Sequence, residues 1–84
     1  MNIDIVFVYY KGSLNPFYFL RWILGIYGLA GTSVVVDNSC TLELKNEIIV
    51  KGSNKVHDFS GYTEGLKYLA SVKSKSTYTI FIND

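Results

Sequence analysis

The sequence predicts an α/β fold, a parallel sheet with helices on both of its faces. Three observations carry that reading. Short runs of β-branched and aromatic residues alternate with helical stretches. Val34, Val35 and Val36 form an unbroken apolar run of the kind found in strands covered on both sides. Each strand-like run also ends in a small polar cluster.

Residues 3–10, IDIVFVYY, read as the first strand. KGSLNP breaks the pattern, with Pro16 suited to the first turn of a helix and Asn15 as its candidate cap. From Phe17 onward, Leu20, Leu24 and Tyr27 share one helical face, but Trp22, Ile23 and Ile26 leave little polar surface. That helix is expected to be covered on more than one side. GLAGT ends it, and SVVV, too short for a helix, is a central parallel-type strand. EIIVKG supplies a short third strand through Ile48, Ile49 and Val50, and SNKVHDFSG follows as a loop. YTEGLKYLASVKS is amphipathic, with Tyr62, Leu66 and Leu69 on one side and Glu64, Lys67 and Lys73 largely on another. Ser60 is its candidate N-cap, and the lysines of KSKS lie near its negative end. TYTIFI is the fourth strand and runs into Asn83 and Asp84. This order predicts a single domain over residues 1–84, a Rossmann-like open parallel sheet of about four strands joined by right-handed crossovers.

Composition narrows the function classes. With 49% hydrophobic and 18% charged residues the chain is globular rather than disordered. Eight Lys/Arg against seven Asp/Glu give a net charge of +1, which provides no single-sign field for a nucleic-acid backbone, so no nucleic-acid partner is expected. Cys40 stands alone, excluding an internal disulfide and a cysteine-based zinc site and fitting a reducing compartment. Asp4 replaces a basic leader region and no small-residue cleavage site follows, so the start is not a signal peptide and a cytoplasmic location is expected. Residues 17–36 together reach membrane-spanning length. Arg21, Gly25, Gly28 and Gly31 interrupt that run, however, and a helix followed by a buried strand gives the same apolar total.

The polar clusters are Tyr10-Lys11-Gly12, Asp37-Asn38-Ser39, Lys51-Gly52-Ser53 and Asn83-Asp84. In a parallel sheet all four share one edge, where open α/β sheets bind ligands. Ordinary turn chemistry explains any one of them. Four together, two with a carboxylate directly after a buried strand, point to a ligand site. Neither glycine-rich phosphate fingerprint is present. His57 has no partner ligands for a metal and no nucleophile to activate, and reads as a surface-loop histidine. Asp84 has the chemistry to hold Mg²⁺ or Mn²⁺ against a diphosphate, and reads equally as a polar chain end. Tyr9 and Tyr10 would either stack on a base or simply pack.

Taken as a series, VVVDNS, NEIIVKGSN, FSGYTEGL and YTIFIND resemble the N-terminal half of family-2 glycosyltransferases of the GT-A fold, most nearly rhamnosyltransferase-like members of bacterial surface-polysaccharide clusters. The resemblance implies a partial GT-A domain that binds a nucleotide-diphospho-sugar. By position, Asp37 would contact the base, with Asn38 beside it. Tyr9 and Tyr10 would lie against the base, and Gly61 and Gly65 would belong to the loop and helix that close over the nucleotide. Asn83 and Asp84 would open the metal and diphosphate motif, with Mg²⁺ or Mn²⁺ as the cofactor. Thr63 and Glu64 depart from the Arg-Asn-type pair of many members. The acceptor half that carries the catalytic base does not lie within these 84 residues, so no turnover is expected of them alone. Catalytic residues are therefore unassigned. Location at the inner face of the membrane, peripheral membrane association and homo-oligomerisation are further expectations. Two other readings stand beside this one. One is a non-catalytic α/β module that self-associates through its sheet edges and apolar first helix, and the other is a membrane-associated fragment anchored by residues 17–36.

Overall fold

The computed structural model describes residues 1–39, 42, 47–52 and 57–83, the side chains of residues 57–59 excepted. Its elements are β1 (Ile3–Tyr9), α1 (Asn15–Ile26), β2 (Ala30–Asp37), β3 (Ile48–Lys51), α2 (His57–Ser71) and β4 (Tyr78–Asn83). The four strands form one sheet in the order β3-β2-β1-β4, and every pairing is parallel. The chain thus adopts the α/β, open, Rossmann-like sheet that its residue pattern predicts.

Strand alternation divides the core in two. Ile5 and Phe7 of β1 and Val35 of β2 pack under Phe17 and Leu24 of α1. Val6, Val8, Val34 and Val36 point the other way and meet Leu69 of α2. All ten side chains are buried, and each such burial contributes about 1.5–3 kcal/mol. The helices lie on opposite faces because the chain reverses direction across the sheet. It moves outward from β1 to β2 and β3, then returns past β1 to β4, and crossovers of one hand switch face when their direction switches.

The elements differ from the sequence expectation chiefly at their ends. Asn15 is the first residue of α1 rather than its cap. No side chain caps from Leu14, and the Asn15 N–H instead donates to Ser13 Oγ at 3.0 Å. Pro16 does sit in the first turn. Gly28, at φ 68°, closes α1 while the Leu29 and Gly28 N–H groups donate to the Leu24 and Gly25 carbonyls at 2.8 and 3.1 Å. β2 begins at Ala30, three residues before Ser33, because it pairs with β1 from Ile3 onward.

α2 begins at His57, so His57 and Ser60 lie within its first turn; Ser60 is not the cap and His57 is not in a loop. The helix ends at Ser71, placing Lys73 and Lys75 beyond it rather than in its last turn. Leu66 is exposed, and among the described side chains of α2 the buried positions are Gly61, Gly65 and Leu69.

The outer side of α1 is bare in this chain. Phe19, Trp22 and Ile26 are each about 60% exposed, because the sheet covers only the side carrying Phe17 and Leu24. Among the described residues no helix is long and apolar enough to cross a membrane.

Candidate functional site

The parallel register gathers the strand ends along one edge. Tyr9 pairs with Asp37, Asp37 with Lys51, and Val8 with Asn83. Strand order reverses between β1 and β4, and such switch points are where open α/β sheets leave a crevice for ligands. Tyr9, Tyr10 and Asn83 flank that point, and Asp37, Asn38 and Lys51 continue the edge. Asp84 and Ser53 lie outside the described residues.

Asp37 ends β2 with its side chain buried, 2% exposed. Its Oδ1 accepts from the Ser39 N–H at 2.9 Å and from the Ser39 hydroxyl, and its Oδ2 accepts from the Leu42 N–H at 2.8 Å. Leu42 in turn packs on the α1-side core. The carboxylate therefore fixes the start of the β2–β3 connection with charge-assisted bonds.

Asn38 lies just beyond. Its N–H continues the ladder by donating to the Tyr9 carbonyl at 2.9 Å, but its side chain is 8% exposed, with neither Oδ1 nor Nδ2 hydrogen-bonded among the described residues. The carboxamide rests where a Cβ at position 52 would stand, so only glycine fits there beside it. The Gly52 N–H donates to the Asp37 carbonyl at 3.0 Å, which holds the two strand ends together. An orphaned buried polar group costs about 1–3 kcal/mol, so the amide stands unsatisfied at the strand-end edge among the described residues.

The two tyrosines part company. Tyr9 packs with the α1-side cluster and Tyr10 with the α2-side cluster, so they do not form one stacking platform. Gly61 and Gly65 are buried in α2 against β1. A Cβ on Gly61 would stand 2.7 and 2.8 Å from the two Val8 methyls, and one on Gly65 would collide with Val6. Their bareness lets α2 approach the sheet, and the same spacing runs α2 antiparallel to β1, with its N-terminal end toward the strand-end edge.

The donor set for a divalent cation is thin. Among the described residues no three His, Cys, Asp or Glu side chains converge. Asn83 offers a neutral amide on an exposed strand end, whereas hard cations favour carboxylate oxygens. The described residues therefore do not by themselves fit Mg²⁺ or Mn²⁺. A separate hollow of about 490 Å³ lies on α1, lined by Tyr18, Arg21, Trp22, Gly25 and Ile26, and no strand-end residue lines it. Arg21 there pairs with Glu47 and sits 5.1 and 5.3 Å from the Phe17 and Tyr18 ring centres.

Asp4 is a buried polar residue that the sequence pattern passed over. It is 2% exposed at the opposite edge of the sheet, where it accepts from the Thr32 N–H at 2.7 Å and from the hydroxyls of Ser74 and Ser76. Its place inside an apolar strand was the available signal. Compared with known proteins, the chain matches no family model, no curated protein and no solved structure.

Proposed function

We propose that the chain is a nucleotide-diphospho-sugar-binding domain of the glycosyltransferase type, with the ligand lying across the C-terminal ends of β1 and β2. The observation that carries this reading is the register that sets Tyr9, Asp37 and Lys51 side by side at the edge of a parallel sheet. A nucleoside diphosphate suits such an edge. Aromatic rings accept the base by stacking, polar side chains read its edge, and an ammonium group stands near for anionic oxygens. Within a complete GT-A enzyme this half would hold the donor, while an acceptor hydroxyl attacks the anomeric carbon and the nucleoside diphosphate departs. The location that accompanies this reading is the cytoplasm, at or near the inner membrane face.

Calorimetric titration with UDP and dTDP, with and without Mn²⁺, tests the proposal. The expected result is saturable one-to-one binding of at least one nucleotide, with inorganic pyrophosphate much weaker. Equal heats for pyrophosphate and nucleotides, or none at all, would overturn it.

The bare α1 face favours a second reading, a non-catalytic module that self-associates. Phe19, Trp22 and Ile26 repeat at helical spacing and remain exposed.

A further inference from the structure

We infer that two copies of the chain pair antiparallel through α1 about a two-fold axis at Trp22, each Phe19 ring seated over the other copy's Gly25. This rests on the self-associating reading above and holds whether or not the strand-end edge takes a nucleotide. The outer side of α1 is a stripe laid out evenly about Trp22. Tyr18 and Phe19 lie four and three residues before it, Gly25 and Ile26 three and four after. Tyr18, Phe19, Trp22 and Ile26 are all exposed, and the hollow of about 490 Å³ opens among Tyr18, Arg21, Trp22, Gly25 and Ile26. Gly25 has no reason within the chain to be glycine. A Cβ on Gly31, Gly52, Gly61 or Gly65 would press into a neighbour, and Gly28 sits at positive φ, but a Cβ on Gly25 would meet nothing within 4 Å. A glycine inside a helix weakens it relative to alanine, so the bare backbone at Gly25 marks a place for something to approach.

The same stripe carries both the knob and the hole, which is why the occupant is a second copy. Phe19 and Trp22 form an aromatic pair, with ring centres 6.2 Å apart. With the two helices antiparallel, bulky Phe19 faces bare Gly25, Tyr18 faces Ile26 and the two Trp22 rings meet on the axis, so each off-axis contact is made twice. A parallel pairing would set Gly25 against Gly25 and Phe19 against Phe19, leaving a gap at one end and crowding at the other. Charge permits the approach. Arg21 is the one charged residue of α1, and it is paired with Glu47 within its own chain. A helix lying in a membrane surface flanks its apolar face with several basic residues, whereas α1 has only that paired Arg21. At about 150–250 Å² per aromatic side chain, the exposed shares of Tyr18, Phe19, Trp22 and Ile26 come to roughly 450 Å² per copy. The pair would bury about 900 Å², the size of a weak, reversible interface rather than an obligate one.

Sedimentation velocity over a concentration series tests the pairing on the wild-type chain, on Gly25→Leu and on the double variant Phe19→Ala/Gly25→Leu, with thermal unfolding followed at the lowest concentration. The wild type should form a reversible dimer with a micromolar dissociation constant. Gly25→Leu should weaken the dimer at least tenfold while melting no lower than the wild type, because its side chain has open space in the monomer. The double variant exchanges large for small across the seam and should bind itself at least threefold more tightly than Gly25→Leu. A wild type that stays monomeric at every concentration overturns the inference and the self-associating reading together. A dimer unaffected by Gly25→Leu overturns the inference alone and leaves self-association intact. Failure of the double variant to recover overturns the antiparallel pairing. A lower melting temperature for Gly25→Leu shows that position 25 is already packed in the monomer and removes the premise. Binding of a monomeric wild type to phosphatidylethanolamine–phosphatidylglycerol vesicles overturns the inference in favour of a membrane surface.

Discussion

Lys73 holds a left-handed backbone conformation, φ 54°, two residues beyond the end of α2. Around it the Ser74 N–H donates to the Leu69 carbonyl at 3.0 Å and the Lys73 N–H to that of Ala70 at 3.1 Å. This is the closure that Gly28 provides for α1, made here with a side chain that is strained in that region. Lys73→Gly should therefore raise stability by about 0.5–1 kcal/mol, read as a melting-temperature rise of a few degrees for a domain of this size. Asp4 works in the opposite sense. Its carboxylate gathers donors from β2 and from the segment before β4, and hydrogen bonds to charged groups are worth about 1.5–3 kcal/mol. Asp4→Ala should cost about 2–4 kcal/mol in urea unfolding, and Asp4→Asn distinctly less. The two aspartates show what a sequence discloses. Asp37 binds residues two and five positions on, and its turn is legible in Asp-Asn-Ser. Asp4 binds residues 28, 70 and 72 positions away, and no local pattern announces partners brought together only by the finished sheet.

At the scale of elements, α2 shows packing overriding propensity. Gly61 and Gly65 would each cost about 1 kcal/mol relative to alanine in an exposed helix, and SNKVHDFSG, ending at Gly61, reads from sequence as loop. The sheet supplies the compensation, since Val8 and Val6 fill the space a Cβ would take. Gly61→Ala should accordingly destabilise the chain by about 1–3 kcal/mol despite its better helix propensity. In a Val8→Ala background the same change should cost much less, a coupling that a double-mutant cycle of chemical unfolding measures directly. The four strands themselves were legible because each is a short apolar run bounded by turn residues, and the all-parallel arrangement followed from their alternation with helices. The strand order was not. It depends on which side of β1 the chain returns to after α2, a choice made by long-range packing.

The whole molecule presents two unequal surfaces. One is the strand-end edge, polar and assembled from four strands. The other is the outer side of α1, where Phe19, Trp22 and Ile26 stand exposed beside a shallow hollow. If that face joins copies of the chain, Trp22→Ser should shift sedimentation toward the monomer while leaving nucleotide binding unchanged, because no strand-end residue lines the hollow. The composition foretold an apolar helix wanting cover on more than one side, and the sheet provides only one. The candidate site was legible as four polar clusters because a parallel sheet must bring its strand ends together. Which of their groups are already engaged, as at Asp37, and which stand unsatisfied, as at Asn38, became visible only with the tertiary contacts.

Amide chemical-shift mapping during a UDP titration shows directly whether the strand-end edge holds a nucleotide. A nucleotide bound there should produce saturable shifts concentrated at Tyr9, Tyr10, Asp37, Asn38, Lys51 and Gly52. Shifts confined to Tyr18, Trp22 and Ile26 on α1, or none at saturating UDP, would contradict it.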